Sequence, residues 1–309
     1  MEHAHVYDML VLGGGPAGYS AALYAARAGL DVLVIEKICP GGQMATTDII
    51  DNYPGFDAGI DGIELGMKMA AGAERFGAKS AYAEITRVDL AQKIKRAVTT
   101  DGEYYGRTVV IATGASPRPL GLENEQALIG RGVHYCAHCD GRFYKGKTVM
   151  VVGGGNSAAS DALYLSGLAE NVILVHRRDT LRATKIYHKP LMQATNVTFF
   201  WNSKVTALHA EQRITSVTLT DIPTGQEREV AIDGLFVSIG RCPATELFAD
   251  QLELDAQGYI VADESTRTGL DGVFAAGDVR TKTLRQVVTA AADGAVASHY
   301  AEEYLAMQD

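Results

Sequence analysis

Met9-Leu10-Val11-Leu12-Gly13-Gly14-Gly15-Pro16-Ala17-Gly18 decides the fold. Four apolar residues read as a buried parallel strand. The glycines that follow read as a tight turn, and Ala21-Ala22-Leu23-Tyr24-Ala25-Ala26 as a small-residue helix closed by Gly29. A second apolar run, Val32-Leu33-Val34-Ile35, ends at Glu36. The same order returns 140 residues later, from Gly13 to Gly153. There Val149-Met150-Val151-Val152 leads into Gly153-Gly154-Gly155-Asn156-Ser157-Ala158, a helical stretch runs to Gly167, and Val172-Ile173-Leu174-Val175 ends at His176.

The spacing G-x-G-x-x-G (or -A) has a physical reason at each place. The first glycine makes the strand-to-helix turn, the second lets backbone approach a pyrophosphate, and the third lets helix pack on strand. Amide groups at the helix start, with the helix dipole, hold the negative charge. One copy is a weak signal, and two flanked copies point to two dinucleotide sites. Counting 23 residues from the first glycine gives Glu36 in the first copy and His176 in the second. A carboxylate there accepts ribose hydroxyls and repels a 2′-phosphate, so the first copy fits FAD or NAD(H). His176-Arg177-Arg178, with Arg182, offers guanidiniums that grip a 2′-phosphate; a solvated basic strand end is the bland reading.

The chain has 309 residues, 33 of them glycine, with 47% hydrophobic and 21% charged residues. That length predicts about two domains. A net charge of -9 argues against a nucleic-acid binder. No apolar run reaches the roughly 18 residues of a membrane span, and no signal peptide is visible before the first strand, so a cytoplasmic protein is expected. Domain crossings are expected near Ala115 to Pro119 and Gly240 to Pro243. Strands are expected at Gly258 to Val261 and Gly272 to Ala275, then a helix from Arg285 to about Leu305. Gly277-Asp278 either meets a flavin's ribityl or phosphate group or forms a capping turn.

Four cysteines are too few for a disulfide scaffold, but Cys136 and Cys139 form a C-x-x-C. At a helix start such a pair gains thiolate character and exchanges with disulfides, and Asp140 is placed to move the proton. Zinc, with His134 and His138 as extra ligands, is the rival reading, although structural zinc sites usually bring a second such pair. Cys39 and Cys242 read as incidental thiols.

Taken in order, these motifs closely resemble the low-molecular-weight bacterial thioredoxin reductases. The likeness also covers Pro40-Gly41-Gly42-Gln43-Met44-Ala45-Thr46-Thr47, Asn52-Tyr53-Pro54-Gly55, Ile111-Ala112-Thr113-Gly114-Ala115, Cys136-Ala137-His138-Cys139-Asp140-Gly141 and Arg285-Gln286-Val287. It implies an α/β fold of two Rossmann-like dinucleotide-binding domains, with an NADPH domain at 118–243 inserted into an FAD domain at 1–117 and 244–309. FAD would meet Gly13, Gly15, Pro16, Ala17, Glu36, Lys37, Gly42, Gln43, Asn52, Thr113, Gly114, Gly277, Asp278, Arg285, Gln286 and Val287. NADPH would meet Gly154, Asn156, Ser157, Ala158, His176, Arg177, Arg178, Arg182, Ile239 and Gly240, and no metal is implied.

The resemblance further implies that Cys139 faces the flavin and Cys136 attacks thioredoxin, in a homodimer whose NADPH domain rotates between half-reactions. The chain departs from the family at His138, where threonine is usual. A similar C-x-H-C occurs in the flavoprotein that reduces peroxiredoxin, so a peroxiredoxin or glutaredoxin-like partner is the alternative. That relative lacks the His-Arg-Arg cluster and carries an additional thioredoxin-like module, which keeps thioredoxin as the expected partner.

Overall fold

The apolar runs of the first copy become adjacent parallel strands, Val6–Leu12 and Val32–Glu36, with Met9 opposite Val32 and Leu12 opposite Ile35. Strand side chains alternate between faces, so an unbroken apolar run means that both faces are covered. Met9, Val11, Val32 and Val34 pack with Ala21, Ala25, Ala297 and Ala301 of the helices. Leu10, Leu12, Leu33 and Ile35 pack on the opposite side with Phe248 and Ile260. Each such side chain, fully buried, contributes about 1.5–3 kcal/mol.

The computed structural model describes residues 5–47 and 49–308. The chain forms two units, one reaching Ser116 and resuming at Cys242, the other Pro117–Arg241. In the first unit the strand path is Lys79–Tyr82, Val32–Glu36, Val6–Leu12, Gly102–Ile111, Lys95–Thr99, Ile85–Asp89. Its first four strands run parallel, and the last three form an antiparallel meander. Val273–Ala275 returns to pair parallel with the far end of Gly102–Ile111. Helices Pro16–Arg27 and Val287–Ala306 pack so closely that a Cβ on Gly294 would lie 2.1 Å from the Ala17 carbonyl oxygen.

The second unit repeats this plan further than the glycine motifs alone reveal. Its parallel path is Val197–Phe200, Asn171–Val175, Thr148–Val152, Gly234–Val237, Val133–His134. Between the strands Val197–Phe200 and Gly234–Val237 lies another antiparallel meander, Ser203–Ala210, Ile214–Asp221 and Glu227–Ala231. Helices Asn156–Ser166 and Lys185–Gln193 accompany the sheet.

Two expectations for the C-terminal third need correction. Gly258 to Val261 is not a strand: Ile260 makes isolated bridges to Leu254 and to Arg280. Gly258, at φ +89°, closes a turn on Asp255. The next donors then go one at a time to different segments, Ile260 N–H to the Val279 carbonyl and Val261 N–H to that of Glu253. The last helix begins at Val287, not Arg285. Gln286 is the cap, its N–H donating to Thr289 Oγ1 at 3.1 Å.

A buried charge network under the Gly277 turn carries no motif. Asp293 accepts from Arg280 Nε and Lys282 Nζ, both at 2.8 Å, and from the Gly277 N–H at 2.8 Å. Arg280 is 1% exposed and Asp293 6%. Burial alone would raise the Asp293 pKa, but its hydrogen bonds from Arg280 and Lys282 outweigh that and hold it below the usual carboxylate value. Removing one partner leaves an uncompensated buried charge, so Asp293→Asn is expected to cost about 3–5 kcal/mol at pH 7. Folding depresses this pKa, so the stabilisation is complete above the unfolded value of about 3.9 and is lost as pH falls through the lower folded value. Melting curves of wild type and Asp293→Asn should stand apart at neutral pH and converge in acid. A separation independent of pH would contradict this account.

Candidate functional site

Both glycine loops test directly what a side chain would meet. In the first unit a Cβ on Gly13, at φ +107°, would lie 2.5 Å from the Ala112 carbonyl oxygen, and one on Gly18 would lie 1.9 Å from that of Gly13. Those two glycines are demanded by the protein itself. Gly15, the N-cap of Pro16–Arg27, meets nothing within 4 Å. Here the open space lies in front of unbonded amides at a helix N-terminus, the environment that a pyrophosphate fits.

Around this turn the structure gathers the residues expected to meet FAD. Gly14 N–H donates to Glu36 Oε2 at 2.6 Å, and Lys37 N–H to Oε1 at 2.8 Å. The carboxylate is thereby fixed at the strand end. The ammonium of Lys37 instead pairs with Glu84 at 2.7 Å. Gly42 lies against Gly15, where a Cβ would be 3.3 Å from its Cα. The Gln43 amide donates to the Ala115 carbonyl. Asn52 donates to Gln286 Oε1 at 3.0 Å, and Val287 joins the apolar group of Met44, Ile50, Ile60 and Leu65. Thr113 Oγ1 donates to the Ala244 carbonyl at 2.8 Å, and Gly114 takes φ +73°. Gly277 abuts Ala17, whose Cβ would be 2.9 Å from one added there. Arg285 stacks on Tyr259 at 3.9 Å and donates through Nη2 to the Arg280 carbonyl at 3.1 Å. It thereby pins the loop that carries Asp278.

The second unit keeps the turn and changes the occupant beside it. A Cβ on Gly153 would lie 2.3 Å from the Ser238 carbonyl oxygen, whereas Gly155 again meets nothing within 4 Å. Ala158 is fully buried. Gly154 is needed for a different reason: a Cβ there would fall 2.2–2.4 Å from the His176 ring. His176 is 4% exposed, and its Nε2 is buried without a hydrogen-bond partner. Burial first, then the charges of Arg182, Arg177 and Arg178, lower its pKa, so the ring is neutral near pH 7.

The guanidiniums of Arg177, Arg178 and Arg182 belong to exposed residues, and no carboxylate among the described residues pairs with them. Their loop is nonetheless held in place. The Gly154 carbonyl accepts the N–H groups of Arg182 at 2.7 Å and Ala183 at 3.0 Å. Asn156 Oδ1 accepts the Thr184 N–H at 2.8 Å. Uncompensated positive charge and an orphaned imidazole nitrogen beside an open helix start fit a phosphorylated ribose. Ser157 lies in the first turn of that helix. Ile239 and Gly240 follow the strand Gly234–Val237, and the Gly240 carbonyl accepts the Arg118 N–H at 3.0 Å.

Cys136 and Cys139 form a disulfide in this same unit. Cys136 is the N-cap of the short helix Ala137–Asp140, and the Cys139 N–H points at Cys136 Sγ at 3.2 Å. His134 and His138, weighed as zinc ligands, are otherwise engaged. His134 Nδ1 lies 3.1 Å from Asp140 Oδ2, and the His138 ring packs on Tyr164 at 4.3 Å. Cys39 and Cys242 are exposed free thiols. Two features had no sequence signal: the His176–Gly154 contact, and Asp161, whose Oδ2 accepts from Ser238 Oγ at 2.5 Å. The Asp293 network had one hint, a lone aspartate in the alanine-rich last helix.

Comparison with known proteins places this geometry. The family described as pyridine nucleotide-disulphide oxidoreductase matches residues 7–294. A thioredoxin reductase of Streptomyces clavuligerus is 47% identical over 304 residues, covering 97% of this chain and 94% of the relative. A bifunctional thioredoxin reductase/thioredoxin of Mycobacterium leprae is 44% identical over 306 residues, covering 98% of this chain and 67% of the relative. The crystal structure of thioredoxin reductase from Streptococcus pyogenes MGAS5005 is similar at a TM-score of 0.90, with 42% identity, 99% of this chain and 100% of that one covered.

Adjacent glycines in the second loop should respond oppositely to the same added methyl. Gly154→Ala forces the His176 ring aside and should cost about 1–3 kcal/mol of stability. Gly155→Ala meets no protein atom, so the melting midpoint of the coenzyme-free protein should hold while NADPH affinity falls. Equal melting midpoints for the two variants would refute this division.

Proposed function

This chain belongs to the pyridine nucleotide-disulphide oxidoreductase family, among the thioredoxin reductases, and from that premise we propose how its residues share the work. It is an NADPH-dependent, FAD-containing thioredoxin-disulfide reductase. The first unit holds FAD and the second NADPH. Bound FAD supplies a two-electron carrier between the nicotinamide and the disulfide. The observation that carries the reading is that the Cys136–Cys139 disulfide and the unpaired Arg177, Arg178 and Arg182 belong to one compact unit.

Within the first unit, the Gly13–Gly18 turn presents amides to the pyrophosphate, and Glu36, fixed by the amides of Gly14 and Lys37, accepts ribose hydroxyls. Gln43, Asn52, Asp278 and the Arg285–Val287 segment complete that site. Arg285 acts through the loop it pins, and Lys37 through its backbone. In the second unit, Gly155, Asn156, Ser157 and Ala158 form the helix start that takes the phosphates. The three guanidiniums and His176 select the 2′-phosphate, and Ile239 and Gly240 border the site.

Cys139 accepts electrons and Cys136 then attacks the disulfide of oxidised thioredoxin, releasing it as a dithiol through a mixed disulfide. Asp140 carries a proton for the sulfurs. The Mycobacterium leprae relative, whose name joins both activities, supports thioredoxin as the partner. A homodimer is supported by the family likeness and by Ile63 and Met67, 54% and 53% exposed on the helix Gly62–Glu74. No described helix is long and apolar enough to cross a membrane.

Anaerobic mixing tests the assignment. NADPH should bleach the flavin far faster than NADH, and Arg177→Ala with Arg178→Ala should abolish most of that preference. Cys139→Ser should leave bleaching by NADPH intact and end thioredoxin reduction. Turnover of thioredoxin by the Cys139→Ser enzyme would overturn the assignment of the thiol pair.

A further inference from the structure

His134 sits two residues before the first cysteine, on the strand Val133–His134, which pairs parallel with its neighbour so that His134 lies opposite Phe236. Its side chain is 7% exposed, stacked on Phe236 at 5.2 Å and edge-on to Tyr144 at 5.2 Å. Both ring nitrogens are used. Nε2 lies 2.6 Å from the Tyr144 hydroxyl, and Nδ1 lies 3.1 Å from Asp140 Oδ2. A buried imidazole wired at both ends to ionisable groups is more than the packing of this strand requires.

The direction of the chain follows from what each group can donate. A carboxylate only accepts, so the His134 nitrogen that faces Asp140 is the one that carries the ring proton. Tyr144 is 1% exposed, and its proton needs an acceptor. His134 Nε2 supplies one, which leaves the imidazole proton on Nδ1, the nitrogen 3.1 Å from the Asp140 carboxylate. Burial raises the Tyr144 pKa, with Asp140 and Asp233 adding to the rise and Arg213 opposing it, so the phenol keeps its proton.

We propose that His134 is the positioning residue of the thiol centre: held in one tautomer by Tyr144, it fixes the Asp140 carboxyl group for proton transfer at the Cys136 and Cys139 sulfurs. The proposal rests on the reading of Asp140 as the proton carrier. Reduction breaks the S–S bond with two electrons drawn from NADPH through FAD, and two protons complete the dithiol. Asp140, as the acid, gives one of them to the sulfur that leaves as thiolate, and solvent supplies the other and reprotonates Asp140. His134 itself exchanges no proton in this step. It holds the carboxyl group at one orientation on a helix of only four residues, which has little rigidity of its own.

The test uses the FAD-loaded enzyme with His134→Ala, His134→Asn, His134→Gln and Asp140→Asn. An asparagine amide can occupy the place of Nδ1, whereas a glutamine amide reaches the place of Nε2. His134→Ala should lower turnover of oxidised thioredoxin about tenfold, less than the roughly hundredfold or more expected for losing a general acid outright, because Asp140 remains. It should displace the pH profile of turnover in the same direction as Asp140→Asn. The alkylation rate of the dithiothreitol-reduced cysteines should change its pH dependence in parallel. His134→Asn should recover most of both, and His134→Gln neither, while flavin bleaching by NADPH stays the same in all three His134 variants.

The proposal falls if His134→Ala matches wild type while Asp140→Asn is impaired. It also falls if the asparagine and glutamine variants are equally slow with unshifted pH profiles, since His134 would then only fill space. Wild-type behaviour of Asp140→Asn is a different failure, and it removes the reading of Asp140 as the proton carrier.

Discussion

Everything in this protein depends on a strand turning into a helix within a space that excludes a Cβ. At Gly13 and Gly153 the intruding atom would be a backbone carbonyl oxygen of a neighbouring segment, 2.5 and 2.3 Å away. Backbone cannot give way as a flexible side chain can, so these positions are fixed by sterics. What the turn achieves is exposure: the helices Pro16–Arg27 and Asn156–Ser166 begin with amides that no intrahelical carbonyl reaches. In front of Gly15 and Gly155 nothing intrudes. Each unit is therefore an anion site before any choice of anion is made.

Specificity enters at the end of the next strand, and magnitudes show how. A unit charge pair at 4 Å is worth about 1 kcal/mol in water and about 4 kcal/mol at a protein surface of intermediate dielectric. Glu36 is partly buried and held by three backbone amides, so its charge has one position. Arg177, Arg178 and Arg182 are exposed, and their attraction is screened by salt beyond roughly 8–10 Å. Their strength lies in number and in a loop tied twice to the Gly154 carbonyl. The buried counterpart is Asp293, where few water molecules compete and a single carboxylate organises Arg280, Lys282 and the Gly277 turn.

Much of this was legible in the residues. The strands at Met9, Val32, Val149 and Val172 are apolar because both faces are covered, and the two glycine loops follow them. Gly258 to Val261 misled because Tyr259 and Ile260 are buried without being laddered: burial was legible, pairing was not. The meanders escaped notice because their strands alternate irregularly, as in Ile85–Asp89, where only Val88 is buried. Glycine roles were readable at Gly13 and Gly153 but not at Gly154, whose constraint comes from a ring 22 residues away in sequence, His176. His134 was visible only as a spare metal ligand. Its bond to Tyr144 spans ten residues and has no spacing rule that a sequence could advertise.

The claim that one turn serves two dinucleotides, told apart by charge at a strand end, has a direct measurement. Calorimetric titration of the FAD-loaded protein with 2′,5′-ADP and with ADP compares two ligands that differ in where the second phosphate sits. The account predicts clear, salt-sensitive binding of 2′,5′-ADP and at least tenfold weaker binding of ADP, the ratio equivalent to about 1.4 kcal/mol. Equal affinities, unchanged by salt, would contradict it.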